Sequence, residues 1–268
     1  MLQLTVTHFG FSPVKGARHT AHTRAERGPG GIVFNRRWGL VLPQTGKVAR
    51  SVAYPKLVQV ENSLSECDRG TLLEVRIPGK GSFTLEPLSK GEVQTFDFWG
   101  QPKRLSLYDH PVNRALSDFL HEQVVLAYAL DPLIFGAPLS LVGSATLEEL
   151  GRRVELPSNH ETGSVSVDAA RLRCNLVVQT DEPFIEDTWA GQQVQLHVLA
   201  HREGKPVPGD LDGVKLTLGE PIGRCAVIDT NPVTGVRDMK LLKNLAGYRP
   251  RNQRGEPVAG VYANFNVT

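Results

Sequence analysis

Met1-Leu2-Gln3-Leu4-Thr5-Val6-Thr7 alternates apolar and polar side chains with a period of two. That is the pattern of a strand that buries one face and wets the other. Working outward, Gly39 to Leu42, then Leu73, Val75 and Ile77, then Val93 to Phe98 alternate or run apolar over strand length, each bounded by Gly, Pro or Asn. The first hundred residues are therefore expected to be a mostly β unit. Past residue 108, short helical patterns join the strands. One follows Asp109-His110-Pro111, where proline suits a first helical turn, with Ala115, Leu116, Phe119 and Leu120 at helical spacing. A second starts at Thr146, whose spacing to Glu149 forms a capping box; a short third starts near Asp168, and a last spans Met239 to Leu245. Further strands are expected at Asn175 to Val178, at Val194, Leu196 and Val198, and at Lys215 to Leu218. The fold class is mainly β with short helices. A boundary between residues 100 and 110 divides an N-terminal β domain, residues 1–105, from a larger one, residues 106–268.

A chain of 268 residues buries enough surface to fold without staples. Its cysteines, Cys67, Cys174 and Cys225, are odd in number and far apart, which speaks against a disulfide framework and for a reducing compartment. The first residues carry no signal-peptide pattern, and the longest apolar run, Val124 to Leu130, is far too short to span a bilayer. The expectation is a soluble, cytoplasmic protein with no membrane partner. A formal charge of +2 is too balanced for a general nucleic-acid binder. The cations are nevertheless uneven, with Lys15, Arg18, Arg24, Arg27, Arg36 and Arg37 in the first forty residues against Glu26. Such a cluster is either a solvated face or a pocket for an anion. The long polar stretch from Gly16 to Gly31, with His19 and His22, reads as a functional or disordered loop.

Several chemistries are absent. Gly28-Pro29-Gly30-Gly31 lacks the Lys-Ser/Thr of a phosphate loop, and Gly143-Ser144-Ala145 lacks the second glycine of a nucleophile elbow. His197 and His201, four apart on a strand, lie too far apart to share a metal unaided. Glu182, Glu186 and Asp187 are either a general acid or base or a capped turn. The most unusual stretch is Gly223-Arg224-Cys225 followed by a β-branched run and Asn231-Pro232-Val233-Thr234-Gly235. Cys225 is either a small hydrophobe at the mouth of a strand or a thiolate favoured by its arginine neighbour.

Several separated stretches together resemble one family. Ser12-Pro13-Val14-Lys15-Gly16 is similar to Tyr-Pro-Val-Lys-Ser, Asn35-Arg36-Arg37-Trp38 to Asp-Arg-x-Trp, and Arg50 to Leu57 contains Tyr54-Pro55-Lys56-Leu57. In the second half, Arg173-Cys174-Asn175-Leu176-Val177 is similar to Arg-Pro-Asn-Ile-Val, and Pro183-Phe184 to Trp189 is similar to Pro-Phe-x-Glu-Asp-x-Trp. Arg224-Cys225 with Asn231 to Gly235 is similar to Arg-Cys followed by Asp-Pro-x-Thr-Gly, and Gly260-Val261-Tyr262 closes the series. The chain resembles the molybdenum cofactor sulfurase C-terminal (MOSC) domain proteins, in the branch with an N-terminal β-barrel that includes the mitochondrial amidoxime-reducing component.

The resemblance implies two β-barrel domains with a molybdenum cofactor, Mo-molybdopterin, held between them and Cys225 as the metal's protein ligand and catalytic residue. Soft thiolate suits such a metal. It implies cofactor contacts from Lys15, Gly16 and Arg36 in the first domain, and from Gly136, Ala137, Arg173, Asn175, Gly223, Arg224 and Tyr262 in the second. Gly16, Gly136 and Ala137 stand where the family carries hydroxyl side chains, so backbone amides would replace them. The implied activity is reduction of N-hydroxylated or N-oxygenated small molecules. Electrons would come from a separate protein of ferredoxin, flavoprotein or cytochrome b5 type, because the chain has no ferredoxin-like cysteine cluster. Two alternatives stand beside it: a non-enzymatic carrier of the cofactor, or of sulfur as a persulfide on Cys225, and a relative with an empty pocket.

Overall fold

The strand expected at the N-terminus forms, and it serves two partners. In the computed structural model, which describes residues 1–28, 30–68, 70–86, 92–154, 167–199 and 208–266, β1 (Leu2–Phe11) buries Leu4, Val6, Phe9 and Phe11. The short strands β2 (Thr20–Ala21), β3 (Arg27–Gly28) and β4 (Gly31–Ile32) follow. Next come β5 (Trp38–Leu42), β6 (Lys47–Val48), β7 (Glu61–Cys67), β8 (Gly70–Ile77), β9 (Gly81–Leu85), β10 (Val93–Phe98) and β11 (Gln101–Leu107). The second half contains α1 (Val112–Leu120), β12 (Val125–Ala129), β13 (Leu139–Gly143), α2 (Ser144–Arg153), α3 (Ala169–Leu172), β14 (Leu176–Val178), β15 (Gln193–His197), β16 (Lys215–Gly223), α4 (Leu241–Tyr248) and β17 (Val258–Phe265). The protein is mainly β.

Two closed barrels result. Strands β10-β11-β12-β5-β6 form the first, closed where β6 pairs parallel with β10 at Lys47 and Asp97. Its interior holds Val41, Val48, Phe96, Phe98, Leu105, Ala127, Ala129 and Leu133. The meander β7-β8-β9 and α1 pack beside it, with Leu73, Val75 and Ile77 turned inward and Glu74 and Arg76 outward, as the alternation requires. Trp38 is fully buried there. Its indole N–H donates to Tyr108 Oη at 2.9 Å, and that hydroxyl donates to Glu86 O at 2.9 Å. The second barrel runs β14-β13-β17-β16-β15-β1 and closes because β1 also pairs with β14. Residues 2–5 of β1 lie parallel to β15, and residues 6–9 lie antiparallel to β14, with the register shifting between Val6 and His8.

The sequence order of the domains is therefore crossed twice. The first strand belongs to the second barrel, while β11, which straddles residue 105, and β12 beyond it complete the first. Pairing follows hydrogen-bonding need, not contiguity. A second difference concerns α2, which starts at Ser144 with Gly143 before it and no side-chain cap. Thr146 is fully buried instead: its hydroxyl donates to Glu186 Oε2 at 2.9 Å and accepts from Phe184 N at 2.7 Å, and Glu149 pairs with Arg152 and Arg153. The short helix near Asp168 is capped as its sequence suggests, with Asp168 Oδ1 accepting from Ala170 N at 2.8 Å. The stretch from Gly16 to Gly31 is also packed: Ala17, His19 and Ala25 are buried, and the His22 ring stacks on Phe11 at 3.6 Å. Pro29 of that stretch and His201 lie outside the described residues. Among the described residues, no helix is long and apolar enough to cross a membrane.

Because β1 closes the second barrel, Phe9→Ala, at a fully buried side chain, is expected to cost about 3–5 kcal/mol. Leu2→Ala, 40% exposed at the start of the same strand, should stay within about 0.5 kcal/mol. Denaturant unfolding of the two variants beside the parent checks this; equal midpoints would remove β1 from the core.

Candidate functional site

Where β1 leaves the second barrel, the next residues dock on the first. Arg36 N donates to Ser12 O at 2.9 Å, Trp38 N to Pro13 O at 3.1 Å and Lys15 N to Trp38 O at 2.7 Å. Asn62, 4% exposed, fixes this segment: Oδ1 accepts from Val14 N at 2.9 Å, and Nδ2 donates to Arg18 O at 2.9 Å. Gly16 makes the following turn at φ +88°, where a Cβ would strike Leu57 Cδ2 at 2.7 Å, so glycine is required by both conformation and space. From the second barrel, the turn after α3 delivers Arg173 in a left-handed conformation, φ 54°. Arg36 shares that conformation, φ 53°, and its Nη2 reaches Arg173 O at 3.5 Å.

The result is a seam where like charges face one another. Burial and the guanidiniums of Arg36, Arg173 and Arg50 push the Lys15 ammonium down to about 7, while Cys225 acts in the opposite direction. Burial and Arg36 push Arg173 down to about 9, and burial lowers Arg36 as well. No carboxylate is among the groups that act on these three cations in the described residues. Arg173 Nη2 is buried without a hydrogen-bond partner among the described residues, as are His19 Nε2 and Asn35 Oδ1. A surface cluster would be solvated or paired; this one holds unspent buried donors. Of the six early cations only Lys15 and Arg36 join this seam: Arg18 pairs with Glu61, Arg37 lies over Tyr128, and Arg24 and Arg27 are exposed.

Cys225 is exposed at the end of β16 and opens a short 3-10 turn, Ala226–Asp229. Gly136, at φ +82°, lies against the ring of Tyr262, which a Cβ on Gly136 would meet at 2.5 Å. Tyr262 in turn acts on Arg36. Lys15, Arg36, Arg173, Cys225, Gly136 and Tyr262 thus come together, with the half-buried Ala137 following Gly136.

Other expected contacts serve as supports. Arg224 is 7% exposed and spends its guanidinium on protein: Nε donates to Ala259 O and Nη1 to Leu172 O, each at 2.8 Å, and Nη2 to Cys174 Sγ at 3.2 Å. Its guanidinium therefore faces the buried Cys174 of the same barrel, although Cys225 is next in sequence. Asn175 is likewise committed, accepting from Ser140 N at 3.2 Å and donating through Nδ2 to Gly10 O at 3.1 Å. Gly223 leaves room for the Asn252 and Glu256 side chains. Glu186, fully buried, accepts from Gly143 N at 3.2 Å and from Thr146, burial pushing its carboxyl up, while Asp187 pairs with Arg249. These carboxylates hold turns together and lie outside the cation cluster.

Two residues of the site were not among the expected contacts. His19 is 6% exposed, and burial with Arg173 and Arg36 holds its imidazole well below the usual histidine range. Arg50 acts on Lys15 from the end of β6. Arg50 stands in a stretch that the family resemblance already includes; nothing local to His19 signals its burial.

Residues 3–123 match the MOSC N-terminal beta barrel domain family. Over 96% of its length the chain is 25% identical to a molybdenum cofactor sulfurase of Danio rerio, of which it spans 31%. These matches support a MOSC-domain protein with an N-terminal β-barrel. The solution structure of a Bordetella bronchiseptica protein aligns with 39% of this chain and 80% of its own, at 14% identity and a TM-score of 0.31. The sulfurase's name connects that relative with the molybdenum cofactor.

The donor set suits such a group. Among the described residues, no cluster of three or more His, Cys, Asp or Glu side chains could hold a metal by itself. A metal at Cys225 would need most of its ligands from a bound organic group, and the unspent Arg173 and His19 nitrogens await an anionic or hydrogen-bonding one.

A lysine lowered to about 7 sheds its proton on folding at any pH between that value and its ordinary 10.5. The unfolded chain then binds more protons than the folded one, so stability should rise with pH across this window. Lys15→Met is expected to flatten the rise and to stabilise the unliganded protein at pH 7. Urea unfolding at pH 7 and pH 9.5 reads both effects; a parent and variant with parallel pH profiles would contradict the buried, repelled ammonium.

Proposed function

We propose that this MOSC protein holds the molybdenum cofactor at the seam of its two barrels, with Cys225 as the protein sulfur ligand. We further propose that it reduces N-hydroxylated or other N-oxygenated small molecules in the cytoplasm. Electrons would come from a separate donor of ferredoxin, flavoprotein or cytochrome b5 type. The observation that carries this reading is the carboxylate-free group of Lys15, Arg36 and Arg173, coupled through Lys15 to the exposed thiol of Cys225. Arg36 and Arg173 have the forked geometry that binds a phosphate through two parallel hydrogen bonds. Tyr262, lying on Gly136, would form one wall, and the backbone around Gly16, Gly136 and Ala137 would present amides where relatives have hydroxyls. When bound, the group supplies a metal that accepts an oxygen atom and passes two electrons. Lys15, lowered to about 7, is suited to holding or releasing a proton at Nζ near neutral pH. Arg224 and Asn175 position the others: the first ties the α3 turn to β17, the second ties β1 to β13.

A second reading, a carrier of the cofactor or of a persulfide on Cys225, is favoured by the similarity to a molybdenum cofactor sulfurase. The two separate in one experiment. Protein made in cofactor-producing cells is expected to contain molybdenum by elemental analysis, with most of it lost in Cys225→Ala. With reduced viologen as electron source, the parent should turn over an aryl amidoxime and the variant should not. Molybdenum without turnover favours the carrier; no molybdenum in the parent rejects both cofactor readings.

A further inference from the structure

At the rim of the seam, four side chains alternate in charge and aromatic character. The Arg50 guanidinium lies 4.8 Å above the Trp99 ring, the Trp99 and Phe135 centroids are 5.6 Å apart at 47°, and the Arg254 guanidinium lies 4.6 Å above Phe135. They come from separate parts of the chain. Arg50 follows β6, Trp99 occupies the β10-β11 turn, Phe135 lies between β12 and β13, and Arg254 precedes β17.

Folding stability does not account for Trp99. The turn has two residues, since Phe98 pairs with Gln101, and both Trp99 and Gly100 have positive φ, 58° and 80°. That conformation favours Asn, Asp or Gly, and a bulky side chain there is strained. Asp97 Oδ1 accepts from Gly100 N at 2.9 Å and holds the turn. The indole so displayed is 47% exposed, and Phe135 is 37% exposed. Large aromatics held in water at a strained position point to a ligand surface.

The strip also borders the cation cluster. Arg50 acts on Lys15. Phe135 is followed by Gly136, which packs against Tyr262, and Arg254 acts on Tyr262. It therefore reaches from the Lys15 side of the seam to the Tyr262 side.

We propose that Arg50, Trp99, Phe135 and Arg254 form a binding rim for planar aromatic compounds that carry an anionic group. The rings offer stacking faces, and each arginine offers a charged fork at one end of the strip. Such compounds are then the substrate class of the neighbouring site, a step that rests on the proposed reductase reading; the binding itself does not.

The test uses metal-free full-length protein, so failure of the cofactor reading leaves its outcome unaffected. Naphthalene-2-carboxylate is titrated while tryptophan fluorescence and heat are followed, with Trp99→Phe as the optical control. Trp38 and Trp189 are buried, so the quenched signal should be that of Trp99. Saturable binding is expected, weakened about tenfold or more in both Arg50→Gln and Phe135→Ala. Cyclohexanecarboxylate and 2-naphthylmethylammonium should bind about tenfold more weakly than the naphthoate. Melting temperatures of the variants are expected to match the parent. No saturable binding, unchanged affinity in the variants, or equal affinity for the aliphatic acid would overturn the proposal. So would variants that lose stability but keep their affinity, since the strip would then be a staple between the barrels.

Discussion

The structure depends on one strand serving two partners. β1 runs parallel to β15 over residues 2–5 and antiparallel to β14 over residues 6–9, and without it the second barrel has two open edges. Open edges expose unpaired backbone groups, so closure is a strong constraint. The same segment then crosses to the first barrel, where Ser12, Pro13 and Lys15 exchange backbone hydrogen bonds with Arg36 and Trp38, and Val14 N donates to Asn62 Oδ1. Lys15 thus sits just past the crossing point, held by the first barrel. The pairing of β1 with β14 joins residues about 170 positions apart, as the Thr7 to Val177 hydrogen bond shows. Contacts of that range are entropically expensive to form and come late in folding.

Closure of this kind also explains why repelling cations can be held together. Burial lowers Lys15, Arg36 and Arg173, Arg36 also lowers Arg173, and both arginines lower Lys15, which costs stability that no nearby carboxylate returns. An anion entering the seam would replace the missing countercharge and pair the unspent Arg173 and His19 nitrogens. An anion would gain this countercharge as well as the hydrogen bonds, whereas a neutral ligand would gain the hydrogen bonds alone.

The alternation of Leu2 to Val6, of Leu73 to Ile77 and of Val93 to Phe98 was sufficient to place strands, since a half-buried strand imposes a period of two wherever it lies. It could not show which barrel each strand joins. That is decided by partners far away in sequence, so the boundary at residue 105 is crossed by β1 in one direction and by β12 in the other. Thr146 and Glu149 have the spacing of a capping box, but the fully buried Glu186 captures the threonine hydroxyl, and a tertiary contact overrides the local motif. His19 and Ala17 lie in a stretch that is polar in composition, yet they are packed beneath β1, because a buried segment needs only a few small or neutral side chains at the right places. In the candidate site, residue types were legible and roles less so: arginine motifs mark guanidiniums without telling which are spent on the protein.

Arg224 and Lys15 show why that distinction matters for Cys225. The arginine precedes the cysteine, but its side chain turns to Leu172 O, Ala259 O and Cys174 Sγ. Sequence adjacency therefore gives Cys225 a structural anchor, while through space Cys225 acts on Lys15, which the other barrel holds. Negative charge at Cys225, or on an anion in the seam, favours the protonated lysine. With Lys15 lowered to about 7, small changes in the charge beside it shift its proton occupancy at neutral pH. The lysine thus links the barrel that β1 closes to the barrel that fixes its backbone, and its proton is the quantity through which a charge at one side of the seam is felt at the other.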